Sequence, residues 1–299
     1  MAATATANLD RLHGARPSLR RRATNVLASV GMVLAFLIAS IPLAFIIGYV
    51  IKRGASILSL DFLTQDIPRR YPAIGPGMGP AVYGTLIITG FAALLSIPLG
   101  ILGAIYLNEY GKKRPLARFV RFMTDVMTGV PSVVLGLFIY TIFVIKTHQQ
   151  TGFAAALALA CLMLPIVIRS TEEMLRLVPD ELRQASQALG SRTWRTTIGV
   201  VIPAALPGIV SGCMLAIARA AGETAPIVIV AGITFETNHS LFSGQNTTLA
   251  AQIFRNANKV FPGAQDRAFG AALTLIILVF VFTIAARIVS SRFALAHRA

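Results

Sequence analysis

Six apolar runs, each long enough to cross a lipid bilayer, dominate this sequence. A helix needs about 20 apolar residues to span a hydrocarbon core about 30 Å thick. Because backbone groups inside lipid find no water to bond, such runs predict helices, and the chain is expected to be an all-α membrane protein with six transmembrane helices. The predicted spans cover residues 23–51, 81–107, 122–145, 152–170, 204–232 and 268–286.

The composition agrees with a membrane protein. Hydrophobic residues make up 55% of the chain and charged residues 13%, whereas a soluble domain carries about 25% charged residues. The net charge of +15 would otherwise suggest nucleic acid. The basic residues instead cluster between the apolar runs, so no nucleic-acid partner is expected.

The distribution of lysine and arginine predicts the orientation. Six spans put both termini on one side, and the segments on that side hold 18 of the basic residues against 8 on the other side. Cytoplasmic segments carry the excess of lysine and arginine, so both termini and the loop at 171–203 are expected in the cytoplasm. The predicted organisation is a basic tail at 1–24, one membrane domain at 25–292 and a short tail at 293–299.

The fifth span contains two charges, Arg219 and Glu223. Each charge costs roughly 2.5–3.5 kcal/mol at the centre of a membrane helix, so an ionisable residue there suggests function. Their spacing of four predicts the same helix face. Pro226 lacks an N–H, so a kink is expected one turn later.

Two interpretations of this pair remain open. In one, Arg219 and Glu223 form a structural ion pair in which each neutralises the other. In the other, the planar guanidinium receives a tetrahedral oxyanion, while Glu223 holds Arg219 when the path is empty and keeps substrate binding weak. Thr224 either donates to the oxyanion or bonds back to its own helix. We take substrate contact by Arg219 as the working hypothesis.

Three further residues are candidates for a substrate path. Thr128 and Ser132 flank the kink expected at Pro131, where hydroxyls also satisfy interrupted helices. Arg169 lies near the cytoplasmic end of the fourth span, where it either snorkels to the interface or contacts substrate at the exit. A stripe of small residues in the fifth span predicts close helix packing: Gly208, Gly212, Ala216 and Ala220.

The loop at 171–203 predicts a short helix over residues 179–190, with acidic residues at its start and Gly190 just past its end. Ser191 is expected to cap a second helical piece over 192–201, and Pro203 and Pro207 to reset the chain direction. Two roles are open for the first helix. It either lies on the lipid surface or docks a partner that pushes on the neighbouring spans.

This loop resembles the EAA loop of ABC-importer permeases. The family pattern is Glu-Ala-Ala, three residues, Gly, nine residues, Ile-any-Leu-Pro, and this chain keeps the spacing with Ala185, Gly190 and Pro203. It departs with glutamine, serine, valine and isoleucine at positions 184, 186, 200 and 202. The resemblance implies contact with an ATPase subunit, and the candidate coupling residues are Glu181, Gln184, Ala185, Ser186, Gly190 and Pro203.

Motifs elsewhere narrow the resemblance. Residues 83–86, 97–100, 104–110, 129–138 and 219–226 are similar to signatures of PstA-type permeases, the membrane subunits of phosphate ABC importers, and the likeness covers about residues 25–292. It implies a multi-pass protein of a bacterial or archaeal cell membrane with the ABC-importer permease fold. The implied partners are a second, homologous permease chain, two cytoplasmic ATPase subunits, an extracytoplasmic phosphate-binding protein and inorganic phosphate.

The chain itself is not expected to be an enzyme or to need a cofactor. It lacks the Gly-x-x-x-x-Gly-Lys-Ser/Thr loop that binds ATP phosphates, so ATP hydrolysis is assigned to a partner. Two alternatives remain. One is a permease for another oxyanion, such as sulfate or molybdate. The other is a secondary anion transporter or channel without an ATPase, which predicts inverted repeats that the sequence does not show.

Overall fold

A computed structural model of the chain describes residues 19–70, 77–111 and 114–296, and these ranges contain helices and no strand. Most of the predicted basic tail and the last three residues lie outside them. The helices are α1 Leu19–Gly54, α2 Leu60–Thr64, α3 Gly79–Ile105, α4 Pro115–Gly129, α5 Ser132–Ile139, α6 Gly152–Arg176, α7 Asp180–Ala188, α8 Thr193–Thr196, α9 Ile202–Gly222, α10 Ala225–Val230, α11 Leu249–Ala257 and α12 Pro262–Ala296.

Wider π-helical turns extend three of these helices. Tyr106–Tyr110 prolongs α3, and Thr197–Val201 joins α8 to α9. Tyr140–Val144 follows α5 and continues into one further short α-helical turn, Ile145–Thr147. The chain forms two compact units, residues 1–49 and residues 50–299. The first contains most of α1, which is apolar and long enough to cross a bilayer. The second contains every other helix.

Five helical stretches within the described residues are long and apolar enough to span a membrane, and a bent pair makes a sixth. The five are α1, α3 with its extension, α6, the joined α8–α9 and α12. The sixth is α4 followed by α5 and its extension, which meet at 105°. The six-span fold class is confirmed, but the third span is a broken pair, not one kinked helix.

Pro131 accounts for this break. A residue before proline avoids the helical region, and proline itself cannot donate a helical hydrogen bond. Val130 accordingly has extended backbone angles (φ −72°, ψ 127°), and Pro131 (φ −58°, ψ 138°) precedes the first turn of α5. The sequence located the interruption at the correct residue and underestimated its angle.

The core of the second unit forms around α6, whose apolar stretch is 67% buried. Its alanines let neighbours approach closely, and at the contact with α3 a Cβ atom on Gly100 would lie 2.6 Å from Val167 Cγ1. On the other side, Gly208 and Gly212 of α9 leave room for Met174 and Ser170. The packing role predicted for the small-residue stripe of the fifth span is confirmed.

Two loops predicted from polarity are shorter in the structure. The fourth span continues to Arg176, and α11 occupies part of the predicted loop at 233–267. Thr248 caps the first turn of α11 by accepting from the backbone N–H of Ala251 at 3.3 Å. Buried Gln252 and Asn256 bond to each other at 3.0 Å, so one face of α11 is internal, whereas Phe254 on another face is exposed.

Candidate functional site

The fifth span is interrupted at the two residues that drew attention in the sequence. α9 ends at Gly222, Glu223 is extended (φ −70°, ψ 133°), and α10 begins at Ala225. Pro226 lies in the first turn of α10, where its missing N–H costs nothing. The expectation that Arg219 and Glu223 share one face of a continuous helix is therefore wrong, because the helix ends between them.

Arg219 and Glu223 nevertheless form an ion pair across this break. Arg219 Nε lies 3.8 Å from Glu223 Oε1, and the two side chains are 64% and 18% exposed. The separation is near the limit of an ion pair, and no other salt bridge to Arg219 occurs among the described residues. The carboxylate holds the guanidinium loosely at its Nε edge, and most of the Arg219 side chain is accessible in the single chain.

The breaks in the third and fifth spans lie in one region of the molecule. Gly136 of α5 packs directly on Pro226 of α10, where an added Cβ would lie 2.7 Å from Pro226 Cα. Ser132 begins α5 one turn before this contact, and Thr224 precedes α10. At 1.5 Å per helical residue and at most about 3.6 Å per extended residue, both interruptions fall within about 10 Å of the contact.

Thr128 and Arg169 belong to a second polar cluster. The Thr128 hydroxyl donates to the Asp125 carbonyl oxygen at 2.6 Å. Arg169 pairs with Asp125 at 3.3 Å and with Glu173 at 3.4 Å. Arg169 adjoins Ser170, which packs at Gly212, seven residues or about 10 Å along α9 from Arg219. The path candidates therefore form two groups. Arg219, Glu223, Thr224 and Ser132 lie near the two breaks, and Thr128 and Arg169 lie at Asp125.

The predicted coupling helix is present as α7, and Gly190 ends it with the left-handed angle expected after a helix (φ +85°). Glu181, Gln184 and Ala185 are exposed, as is Leu189. Ser186 is half-buried, and its hydroxyl lies 3.0 Å from Thr196 Oγ1. This hydrogen bond explains a serine at a position where the resemblance leads one to expect alanine.

The second helical piece differs from its prediction. Ser191 does not cap it. Arg192 precedes α8, and the helix runs without interruption from Thr193 to Gly222. Pro203 lies in the first turn of α9, directly after a π-helical turn, and Pro207 lies inside the helix. The two prolines therefore do not reset the chain direction, and α7 connects to Arg219 through one long helix.

Sequence reasoning missed the charges on the inner side of α7. Arg183 is 8% exposed and pairs with Glu109, in the π-helical extension of α3, at 3.0 Å. Beside this pair, buried Glu172 accepts from Arg121 at 2.8 Å and from Arg176 at 2.6 Å. A cavity of about 360 Å³ separates the two clusters, and its lining is polar: Asn108, Arg121, Arg176, Asp180 and Arg183. An arginine in a strongly polar loop helix gives no signal of burial.

Comparison with known proteins decides the family. Residues 96–295 match the model of the binding-protein-dependent transport system inner membrane component family. The chain belongs to this family. It is 42% identical over 275 residues to the phosphate transport system permease protein PstA 1 of Mycobacterium tuberculosis (strain CDC 1551 / Oshkosh), covering 91% of this chain and 90% of the relative. It is 37% identical to the PstA permease of Yersinia pestis, covering 91% and 92%.

Solved structures agree on the fold of this binding-protein-dependent permease. A bacterial ABC transporter that imports the acidic polysaccharide alginate superimposes with a TM-score of 0.59 at 15% identity, over 91% of this chain and 99% of that one. The inward-facing MetNI methionine ABC transporter gives a TM-score of 0.57 at 20% identity, over 72% and 93%. The resemblance inferred from the motifs and the permease fold are both confirmed.

The arrangement suits an inner-membrane transport permease. Backbone that is not helical is tolerated at membrane depth only where protein buries it or where it lines a water-filled cavity. The breaks at Pro131 and Glu223 supply such backbone beside an accessible guanidinium. The helix that carries Arg219 near its C-terminal end begins at Thr193, a few residues after α7 and its exposed face.

Proposed function

We propose that this permease is the transmembrane subunit of an ATP-driven importer of inorganic phosphate. The observation that carries the proposal is its identity of 42% and 37% with two PstA permeases over nine-tenths of the chain. The proposed partners are a second, homologous permease chain, two cytoplasmic ATPase subunits and an extracytoplasmic phosphate-binding protein. The excess of basic residues supports cytoplasmic termini in a bacterial or archaeal membrane, with residues 25–292 as the permease domain.

In this proposal Arg219 contacts phosphate on its way through the membrane. Its side chain is 64% exposed and the guanidinium pairs with Glu223 only at 3.8 Å, so an oxyanion can replace the carboxylate without breaking a close ion pair. A planar fork of donors fits a tetrahedral oxyanion. Glu223 competes with phosphate for Arg219, which keeps binding weak enough for release. Thr224 and Ser132, beside the two breaks, add hydroxyl donors.

Arg169 and Thr128 form the proposed exit of the same path. Arg169 is half-exposed and its two carboxylate partners lie at 3.3 and 3.4 Å. Ion pairs of this exposure contribute about 0–1 kcal/mol, so the guanidinium exchanges partners readily. Such an arginine suits a transient contact with an anion that is leaving for the cytoplasm.

The exposed side of α7 is the proposed docking surface for the ATPase. Glu181, Gln184 and Ala185 face outward, and Gly190 ends the helix. Ser186 and Pro203 support this surface and are not part of it. Ser186 links α7 to α8 through its hydrogen bond to Thr196, and Pro203 lies within the continuous helix. That helix extends from Thr193 to Gly222, a length of about 45 Å, and carries motion from α7 to Arg219.

Replacement of Arg219 tests the substrate contact in vesicles that contain every subunit. We expect Arg219→Gln to reduce ATP-driven uptake of labelled phosphate at least tenfold and Arg219→Lys to reduce it less, since lysine keeps the charge and loses the fork. Arg118→Gln removes an exposed cytoplasmic-side arginine and serves as the matched control. Normal uptake by Arg219→Gln contradicts the contact.

A double variant separates substrate contact from structural pairing. If Arg219 serves only to neutralise Glu223, the variant that combines Arg219→Gln with Glu223→Gln recovers uptake, because it leaves no unpaired charge in the membrane. If Arg219 binds phosphate, the double variant stays as inactive as Arg219→Gln alone. We expect no recovery.

A further inference from the structure

One buried arginine attaches the docking helix α7 to the ends of α3 and α6, in addition to the Ser186–Thr196 hydrogen bond that links α7 to α8. Among its nine residues, all of which the structure describes, Arg183 alone is buried. No apolar side chain of α7 is buried against the membrane helices, and Leu182 and the following Leu189 are exposed. The attachment of α7 is therefore polar and local, in contrast to the apolar packing of the membrane spans.

Arg183 uses its whole guanidinium in this attachment. Nη1 donates to the Val178 carbonyl at 2.6 Å and to Asp180 Oδ1 at 3.1 Å. Nη2 donates to the Leu175 carbonyl at 2.8 Å and to Glu109 Oε1 at 3.0 Å, and Nε reaches the two Glu109 oxygens at 3.3 and 3.4 Å. All five N–H donors of an arginine are engaged.

Glu109, the partner of Arg183, is itself fixed. Its side chain is 6% exposed, and the Asn108 amide donates to its Oε1 at 2.8 Å. Both residues lie in the π-helical turn that extends α3, and Leu175 lies in the last turns of α6. One planar group therefore joins the docking helix to the ends of two membrane spans. Buried, bidentate pairs of this kind fix orientation as well as position.

We infer that Arg183 is a positioning residue that carries the movement of α7 to the end of α3 through Glu109 and to the end of α6 through the Leu175 carbonyl. This route is separate from the continuous helix that leads from Thr193 to Arg219. Removal of Arg183 leaves buried Glu109 without its counter-ion, and removal of Glu109 leaves Arg183 only the exposed carboxylate of Asp180. The attachment therefore loosens when Arg183 or Glu109 is neutralised. The inference rests on the proposed function in one respect, the docking of an ATPase on α7.

The test compares Arg183→Gln, Glu109→Gln and Arg183→Lys in the full complex reconstituted in vesicles, with Arg118→Gln as the matched control. Glu109 lies outside α7, so Glu109→Gln leaves the sequence of the docking helix unchanged. Three quantities are measured: copurification of the ATPase, ATP hydrolysis, and labelled phosphate taken up per ATP hydrolysed. A purely structural residue would lower the first quantity, whereas a positioning residue lowers the third.

We expect both neutral variants to retain the ATPase and to hydrolyse ATP, with at least a tenfold loss of phosphate taken up per ATP. Arg183→Lys recovers part of the coupling. Normal coupling in either neutral variant overturns the inference, and so does loss of the ATPase from both, which would make the pair a folding element. Wild-type uptake that needs no ATP contradicts the proposed function, a result distinct from both.

Discussion

Adjacent glutamates in α6 illustrate how burial decides the contribution of a charge. Glu172 is 3% exposed and accepts from Arg121 and Arg176, whereas Glu173 is 57% exposed and pairs with Arg169 at 3.4 Å. We expect Glu172→Gln to lower the free energy of unfolding by about 3 kcal/mol, because Arg121 loses its counter-ion in a largely buried site.

Glu173→Gln is the matched control for Glu172→Gln, since it removes the same charge one position later. An exposed pair contributes about 0–1 kcal/mol, so its effect is expected within that range. The measurement is the thermal unfolding of each purified variant in detergent. Equal midpoints for the two variants would contradict the account of the cluster.

At single residues, the sequence singled out the charged residues that interrupt an apolar span and missed the buried charge in a polar helix. Arg219 and Glu223 stood out because charges are rare inside an apolar span. Arg183 did not, since an arginine in a polar loop helix is ordinary, and only the structure shows its burial. The predicted placement of Arg219 and Glu223 on one helix face was wrong, because periodicity assumes a continuous helix and the helix ends at Gly222.

At the scale of elements, the contact between α5 and α10 holds the two broken spans together. Gly136 has no room for a side chain, since a Cβ would lie 2.7 Å from Pro226 Cα. Gly90 of α3 is a matched glycine inside a helix, with no atom within 4 Å of the position of its Cβ. The two glycines differ in their surroundings and share their conformation.

Substitution by alanine therefore acts in opposite directions at these glycines. Gly136→Ala is expected to lower the free energy of unfolding by about 1–2 kcal/mol, because overpacking outweighs the gain in helix propensity. Gly90→Ala is expected to leave it unchanged or to raise it by up to about 1 kcal/mol. Thermal unfolding in detergent measures both. A Gly136→Ala midpoint as high as that of Gly90→Ala would exclude tight packing at this contact.

Apolar length predicted the existence of the spans well and their breaks poorly. Each predicted span overlaps a membrane-length helix or the bent pair, because the hydrophobic requirement of a bilayer is independent of tertiary contacts. Proline marked the break at Pro131, yet Pro207 lies within an uninterrupted helix. A proline alone does not fix the angle, since neighbouring helices and widened turns can satisfy the freed carbonyl.

For the whole molecule, the orientation that we propose in the membrane rests on the charge asymmetry and is open to direct test. Leu189, just after α7, and Val260, between α11 and α12, are 88% and 85% exposed and lie in loops assigned to opposite sides. Cysteine at each position, in a chain whose Cys161 and Cys213 are replaced by alanine, reports which side a membrane-impermeant thiol reagent reaches.

We expect Leu189→Cys to react only after the cytoplasmic face is exposed and Val260→Cys to react from outside intact cells. The reverse pattern would invert the topology, and labelling of both from one side would contradict the six-span arrangement. As a control for correct assembly, each cysteine variant is required to support growth on limiting phosphate at the wild-type level.

The central claim is that the chain moves phosphate by using ATP hydrolysed in a partner. Its most direct test measures labelled phosphate uptake into vesicles that contain this permease, the second permease chain and the ATPase subunits, with the phosphate-bound binding protein on the extracytoplasmic side. We predict uptake that requires ATP on the face of α7 and that excess sulfate or molybdate does not compete away. Uptake that proceeds without ATP, or that sulfate abolishes, would contradict the account.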